Sequence, residues 1–70
     1  MAELTSPING KIWKVLVAVG DKVEMDDEVI IIEALKMETP IYSENSGTVS
    51  EIRVKEGDAV NEGDILAIIG

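Results

Sequence analysis

Laid against itself at an offset of 37 positions, the chain repeats. Gly10 falls on Gly47, Val17 on Val54, Gly20 on Gly57, Asp21 on Asp58, Val23 on Val60, Asp27 on Asp64, Ile31 on Ile68 and Ile32 on Ile69. Ile12 with Val49, Val15 with Ile52 and Val29 with Leu66 are conservative matches in the same register, which needs no insertion. Two units are too few to stack and cap as a solenoid, so the halves are expected to close on each other with pseudo-twofold symmetry. A chain of 70 residues makes one small domain, with too little buried surface to line a deep catalytic cleft. That points to a carrier or binding module rather than an enzyme.

Each half reads as strands. Residues 10–19 are rich in Ile, Val, Leu and Trp, and 28–32, 48–54 and 64–69 in Val, Ile and Leu, with Gly, Asp or Asn bounding each run. These are the signals of β-structure, and no segment keeps a helical period for long. Residues on one face of a strand recur every second position, yet Ile12 to Val15 and Val49 to Ile52 are odd steps, while Val15 to Val17 and Ile52 to Val54 are even. The phase therefore changes at the same point in both halves, which predicts a β-bulge in each. Matched bulges let short strands curl over one core, giving an all-β fold of the flattened barrel or sandwich kind. The expected core is Ile12, Val15, Val17, Val23, Val29, Ile31, Val49, Ile52, Val54, Val60, Leu66 and Ile68. Turns are expected at Gly20-Asp21, Gly57-Asp58 and Gly63-Asp64. Asp26 stands where the second half has Gly63, and aspartate is among the few residues that tolerate a positive φ. Pro7-Ile8-Asn9-Gly10 matches Glu44-Asn45-Ser46-Gly47 as a further pair of turns. With no linker or low-complexity stretch, residues 1–70 are expected to form one domain.

Composition excludes several chemistries. The chain has neither cysteine nor histidine, which removes disulfides, thiolate metal sites, thiol nucleophiles and imidazole bases. No apolar run approaches the roughly 20 residues of a membrane-spanning helix, and no basic-then-apolar leader opens the sequence. A soluble protein of the cytoplasm is the expectation, with no membrane insertion. The net charge of −8, from 6 basic and 14 acidic residues, would repel nucleic acid and anionic membranes. The acidic run Glu24 to Glu28 lacks the ligand alternation and the glycine of a calcium loop.

Between the halves lies Glu33-Ala34-Leu35-Lys36-Met37-Glu38, joining the strand around Val29–Ile32 to another near residues 39–43. So short a connection implies a tight hairpin. Hairpin tips favour Asn, Gly, Asp or Pro, whereas this one carries residues that individually prefer helix. Such a conflict between local preference and global setting marks a functional site. Leu35 and Met37 would sit exposed around Lys36, an apolar pair beside a charge, which reads as a recognition epitope. The symmetry mate of this tip is the gap between the chain ends, which are therefore expected to lie together, away from Lys36.

Glu33-Ala34-Leu35-Lys36-Met37-Glu38 resembles the Glu-Ala-Met-Lys-Met signature of biotin carrier (biotinyl) domains. Ser6-Pro7-Ile8-Asn9-Gly10 is similar to that family's opening turn, and Gly20 to Val23 and Gly57 to Val60 resemble its paired Gly-Asp-x-Val elements, so the resemblance spans nearly the whole chain. It implies two four-stranded antiparallel sheets, with the modified lysine on a protruding hairpin. It also implies that a biotin protein ligase joins biotin to the side-chain nitrogen of Lys36, reading Glu33, Ala34, Leu35, Met37 and Glu38. The biotinyl-lysine would then carry carboxylate between biotin carboxylase and carboxyltransferase components, and the domain would be monomeric and non-catalytic. Two departures stand out. Leu35 replaces the usual methionine, a swap of similar volume, and nothing matches the thumb-like insertion of the bacterial acetyl-CoA carboxylase carrier. The chain looks more like carriers serving acyl-CoA or oxo-acid carboxylases, decarboxylases and transcarboxylases, or a free-standing small carrier. A lipoyl carrier is the nearer alternative, although its signature resembles Asp-Lys-Ala; an unmodified interaction domain is the more distant one. Trp13, which faces Ser50 in the repeat, is expected to cover a sheet edge or to dock a partner.

Overall fold

The computed structural model describes residues 2–70; Met1, counted above within the domain, lies outside them. Eight strands follow one another: β1 Ala2–Thr5, β2 Gly10–Val15, β3 Lys22–Val23, β4 Glu28–Ala34, β5 Met37–Tyr42, β6 Gly47–Ile52, β7 Ala59–Val60 and β8 Ile65–Ile69. They form two four-stranded sheets, ordered β1-β8-β6-β3 and β5-β4-β2-β7, with every pairing antiparallel. Exchanging each strand for the one four places along converts one order into the other, which is the expected pseudo-twofold symmetry. The body measures 31 × 18 × 18 Å.

Both anticipated bulges are present. The β2–β4 register shifts between Ile12 and Lys14, and the β6–β8 register between Val49 and Glu51. Ile12, Val29, Ile30, Ile32, Val49 and Leu66 are sealed from solvent between the sheets. Val23, Val60 and Ile68 are also buried, while Val15, Val17, Ile52 and Val54 pack partly buried against the core. Ile31 does not belong to the core and lies partly exposed. The reason is another bulge, between Glu28 and Ile30 in the β4–β5 pairing. It turns both Val29 and Ile30 inward, so that Ile32 rather than Ile31 continues the buried face. Leu4, Ile41, Ala67 and Ile69 complete the interior.

The same turn is used four times. In each, an aspartate N–H donates to a carbonyl three residues back, Ala18, Glu24, Lys55 or Asn61, at 3.0 Å. The aspartate's own Oδ2 accepts from that residue's N–H at 2.8–3.0 Å. The aspartates are Asp21, Asp27, Asp58 and Asp64, and the residue before each has positive φ: Gly20 at 96°, Asp26 at 71°, Gly57 at 92° and Gly63 at 92°. A positive φ at the third position suits glycine best, so Asp26 carries the strain that its three counterparts avoid. Asp26→Gly is therefore expected to stabilise the domain by about 0.5–1 kcal/mol, the relief of the left-handed conformation exceeding the entropy glycine adds to the unfolded chain. A melting temperature unchanged or lowered in a thermal scan would refute this.

The chain ends lie together, as expected: Ala2 pairs with Ile69. From there β1 runs the length of its sheet and delivers Pro7, Ile8 and Asn9 to the side of the β4–β5 hairpin, where they share one groove with Ala34, Leu35 and Met37. The ends and the hairpin thus occupy opposite poles.

Candidate functional site

Strands β4 and β5 are paired along six positions, from Glu28 opposite Tyr42 to Ala34 opposite Met37. Only Leu35 and Lys36 remain to make the turn. Both have positive φ, 51° and 62°, the signature of a type I′ connection, whose twist matches that of the flanking strands. The sheet imposes this conformation against residue preference, because the left-handed region costs an ordinary L-residue about 1–2 kcal/mol. Ile30 and Ile32, both fully buried in β4, hold the stem while the tip is strained.

The side chains at the tip go outward. Leu35 is 96% exposed and Met37 69%, so neither caps the core. Lys36 is exposed as well. Among the described residues the only ion pair is Arg53 with Glu51, at 3.3 Å, so neither Glu33 nor Glu38 engages the Lys36 ammonium. Glu33 and Glu38 are exposed and sit directly opposite each other one step down the stem, with Lys11 of β2 across from Glu33. Like charges facing across strands repel weakly, leaving an acidic row below an apolar tip. Ala34 is half-buried and closes the turn with Met37. All six residues singled out in the sequence are thus brought together.

Two turns buttress this pole. The Asn9 side-chain carbonyl accepts from the Glu62 N–H at 2.6 Å, and both residues line the groove beside the hairpin. At the other pole the counterparts Ser46 and Met25 make the equivalent bond, from the Met25 N–H to the serine hydroxyl, at 3.2 Å. Ser6 and Ser43, also symmetry mates, are buried and donate their hydroxyls to the Ile8 and Asn45 carbonyls. Ser6 opens a turn already evident in the sequence, whereas the part played by the two hydroxyls is not, although the equal spacing of the serines before matched turns is a usable signal. Trp13 occupies the β2 bulge and is 39% exposed, with the Lys14 ammonium 4.9 Å from its ring centroid. The ladder between β2 and β7 is registered at Gly10 and Lys11, so Trp13 lies past its end. Its mate Ser50 instead donates to the Ile68 carbonyl at 3.1 Å.

Two small sheets packed face to face thus hold the exposed Lys36, outside any ion pair among the described residues, on a strained two-residue turn. The chain belongs to the biotin/lipoyl attachment family, described as "Biotin-requiring enzyme", which matches residues 2–69. It is 54% identical over 57 residues to the biotin/lipoyl attachment protein of Bacillus subtilis, covering 81% of this chain and 78% of that one. Identity is 47% over 66 residues to the biotin carboxyl carrier protein of Streptococcus mutans, covering 94% of this chain and 51% of the relative. The crystal structure of Kluyveromyces lactis urea carboxylase contains a segment that superposes with a TM-score of 0.93 at 46% identity, covering 99% of this chain and 6% of that one. The chain therefore spans about half of the streptococcal carrier and a small part of the carboxylase. It is a biotin carrier domain, non-catalytic in itself.

Proposed function

We propose that Lys36 is the residue to which biotin is joined, through an amide between its Nζ and the biotin carboxyl carbon, with net loss of one water. The observation that carries this is the two-residue turn, which leaves Lys36 exposed between Leu35 and Met37 and outside any ion pair among the described residues. A primary amine on an exposed hairpin tip fits a cofactor that offers a carboxylic acid. A biotin protein ligase removes the Nζ proton and supplies the activated acyl donor. Leu35 and Met37 give that ligase an apolar contact to bury, the Ala34–Met37 pair sets the height of the tip, and the Glu33–Glu38 row adds an acidic border suited to a basic surface. Once attached, biotin supplies carboxyl transfer through its ureido nitrogen. The lysine stem then gives a swinging arm its flexibility, and the barrel confines that arm at high local concentration near biotin carboxylase and carboxyltransferase partners. This reading places a monomeric carrier in the cytoplasm.

Coexpression with a biotin protein ligase, followed by intact-mass measurement, tests the assignment. The native chain is expected to gain one biotin less one water, and Lys36→Arg, which keeps the charge but has no amine to acylate, to gain nothing. An unshifted native mass beside an active ligase would overturn the proposal. A lipoyl increment with a lipoate ligase in its place would establish the lipoyl alternative, which the absence of aspartate at position 35 and the presence of Met37 disfavour.

A further inference from the structure

We infer that Gly10 is a positioning residue for the modification of Lys36, setting the hairpin at the height and tilt in which the ligase meets it; this rests on Lys36 being the attachment point. Gly10 opens β2 opposite Val60 of β7 and lies next to the Lys11–Glu33 pair. Its φ is not positive, so conformational freedom is not why a glycine stands there. The reason is space. A Cβ on Gly10 would come within 2.6 Å of the Glu33 carbonyl oxygen, 2.8 Å of Ile32 Cγ2 and 3.3 Å of Ala34 Cβ. These are three consecutive residues of the hairpin stem, ending next to Leu35 and Lys36. Real Cβ contacts essentially never fall below 3.0 Å, so the Glu33 carbonyl would have to retreat by roughly 0.4 Å or more, and it is backbone in a paired strand with no rotamer to change. Ile32 cannot yield in its place, being fully buried. The displacement would pass up the strand into a two-residue turn already held in the left-handed region, which has no slack to absorb it.

The pseudo-symmetry supplies its own control. Gly47 is the mate of Gly10, yet a Cβ there would meet only Ile69 Cγ2 at 3.1 Å and the Gly70 backbone at 3.5 Å and beyond. That neighbourhood is the pole of the chain ends, away from Lys36. The approach closest enough to forbid a methyl group thus occurs on the side that carries the lysine. The Asn9–Glu62 bond, immediately before Gly10 in the chain, fixes the segment from which Gly10 enters β2.

The test measures the rate at which a biotin protein ligase modifies the native chain, Gly10→Ala and Gly47→Ala, at a temperature where circular dichroism shows each to be folded. Misplacing a reacting group by about 1 Å costs about a hundredfold in rate, so Gly10→Ala is expected to be modified about tenfold more slowly, with shifted amide resonances at Leu35, Lys36 and Met37. Gly47→Ala is expected to keep the native rate, whatever its melting temperature. If Gly10→Ala does not fold, the same substitution is made in the Asp26→Gly background. A Gly10→Ala that folds in neither background would overturn the inference, since Gly10 would then be required for the fold as such. Native-rate modification of folded Gly10→Ala, or equal slowing by Gly47→Ala, would overturn it as well. A native chain that accepts no biotin at all would instead overturn the assignment of Lys36.

Discussion

Leu35→Asn is expected to make the domain more stable and a poorer ligase substrate at once. Asparagine enters the left-handed region far more readily than leucine and is favoured at the first position of a type I′ turn, so relief of the 51° φ at Leu35 should be worth about 1 kcal/mol. For a domain of this size that raises the melting temperature by about 4–8 °C. The same substitution removes an apolar side chain that is 96% exposed in the free chain. Burying a leucine is worth about 1.5–3 kcal/mol, so kcat/KM for ligation should fall about 10- to 100-fold. The paired readout separates two claims: an unchanged melting temperature would remove the strain at the tip, and an unchanged kcat/KM would remove the apolar epitope.

The second large effect is expected at the opposite extreme of burial. Leu66 is sealed from solvent in β8 and belongs to the cluster that includes Ile12, Val29, Ile30 and Ile32. Leu66→Ala should cost about 2–5 kcal/mol through lost transfer energy and the cavity left behind. By the usual scaling with length a chain this short has about 4–10 kcal/mol in total, so the variant should sit near its unfolding threshold. Urea denaturation is expected to show a midpoint lowered by about a fifth at the least, with an unchanged slope. A midpoint within experimental error of the native one would mean that the core is not where the structure places it.

These two residues also show how far the sequence could be read. Leu35 stood out because a strand-to-strand connection of its length does not ordinarily carry such a residue, a contradiction visible without coordinates. Leu66 was legible through its match with Val29 in the repeat. The bulges at Ile12–Lys14 and Val49–Glu51 could be located because the apolar phase changed identically in two copies, and Asp26 because its counterpart was glycine. Where the copies gave no contrast, the reading failed. Val29 to Ile32 is an unbroken apolar run with no period of its own, so the extra bulge in β4 was invisible and Ile31 was placed inward. Leu4 and Ile41 lie in edge strands among polar neighbours, a pattern too short to register. Gly10 could be recognised as half of a matched pair, but what its missing side chain makes room for depends on the β4 backbone, which is distant in sequence.

The pairing of Ala2 with Ile69 bears on the order in which the molecule assembles. Joining positions 67 residues apart costs about 2.5 kcal/mol more in loop-closure entropy than joining Ala34 to Met37, on the logarithmic dependence of that cost on length. The hairpin bearing Lys36 is the most local strand pair in the fold, and the β1–β8 ladder the least. Folding should therefore raise the lysine-bearing hairpin early and zip the ladder between the chain ends late. Until β8 arrives, Leu66 and Ala67 are missing from beneath the stem, and the tip stands on an open core. The last strand to dock thus governs when a finished hairpin becomes available, although it lies at the far pole from it.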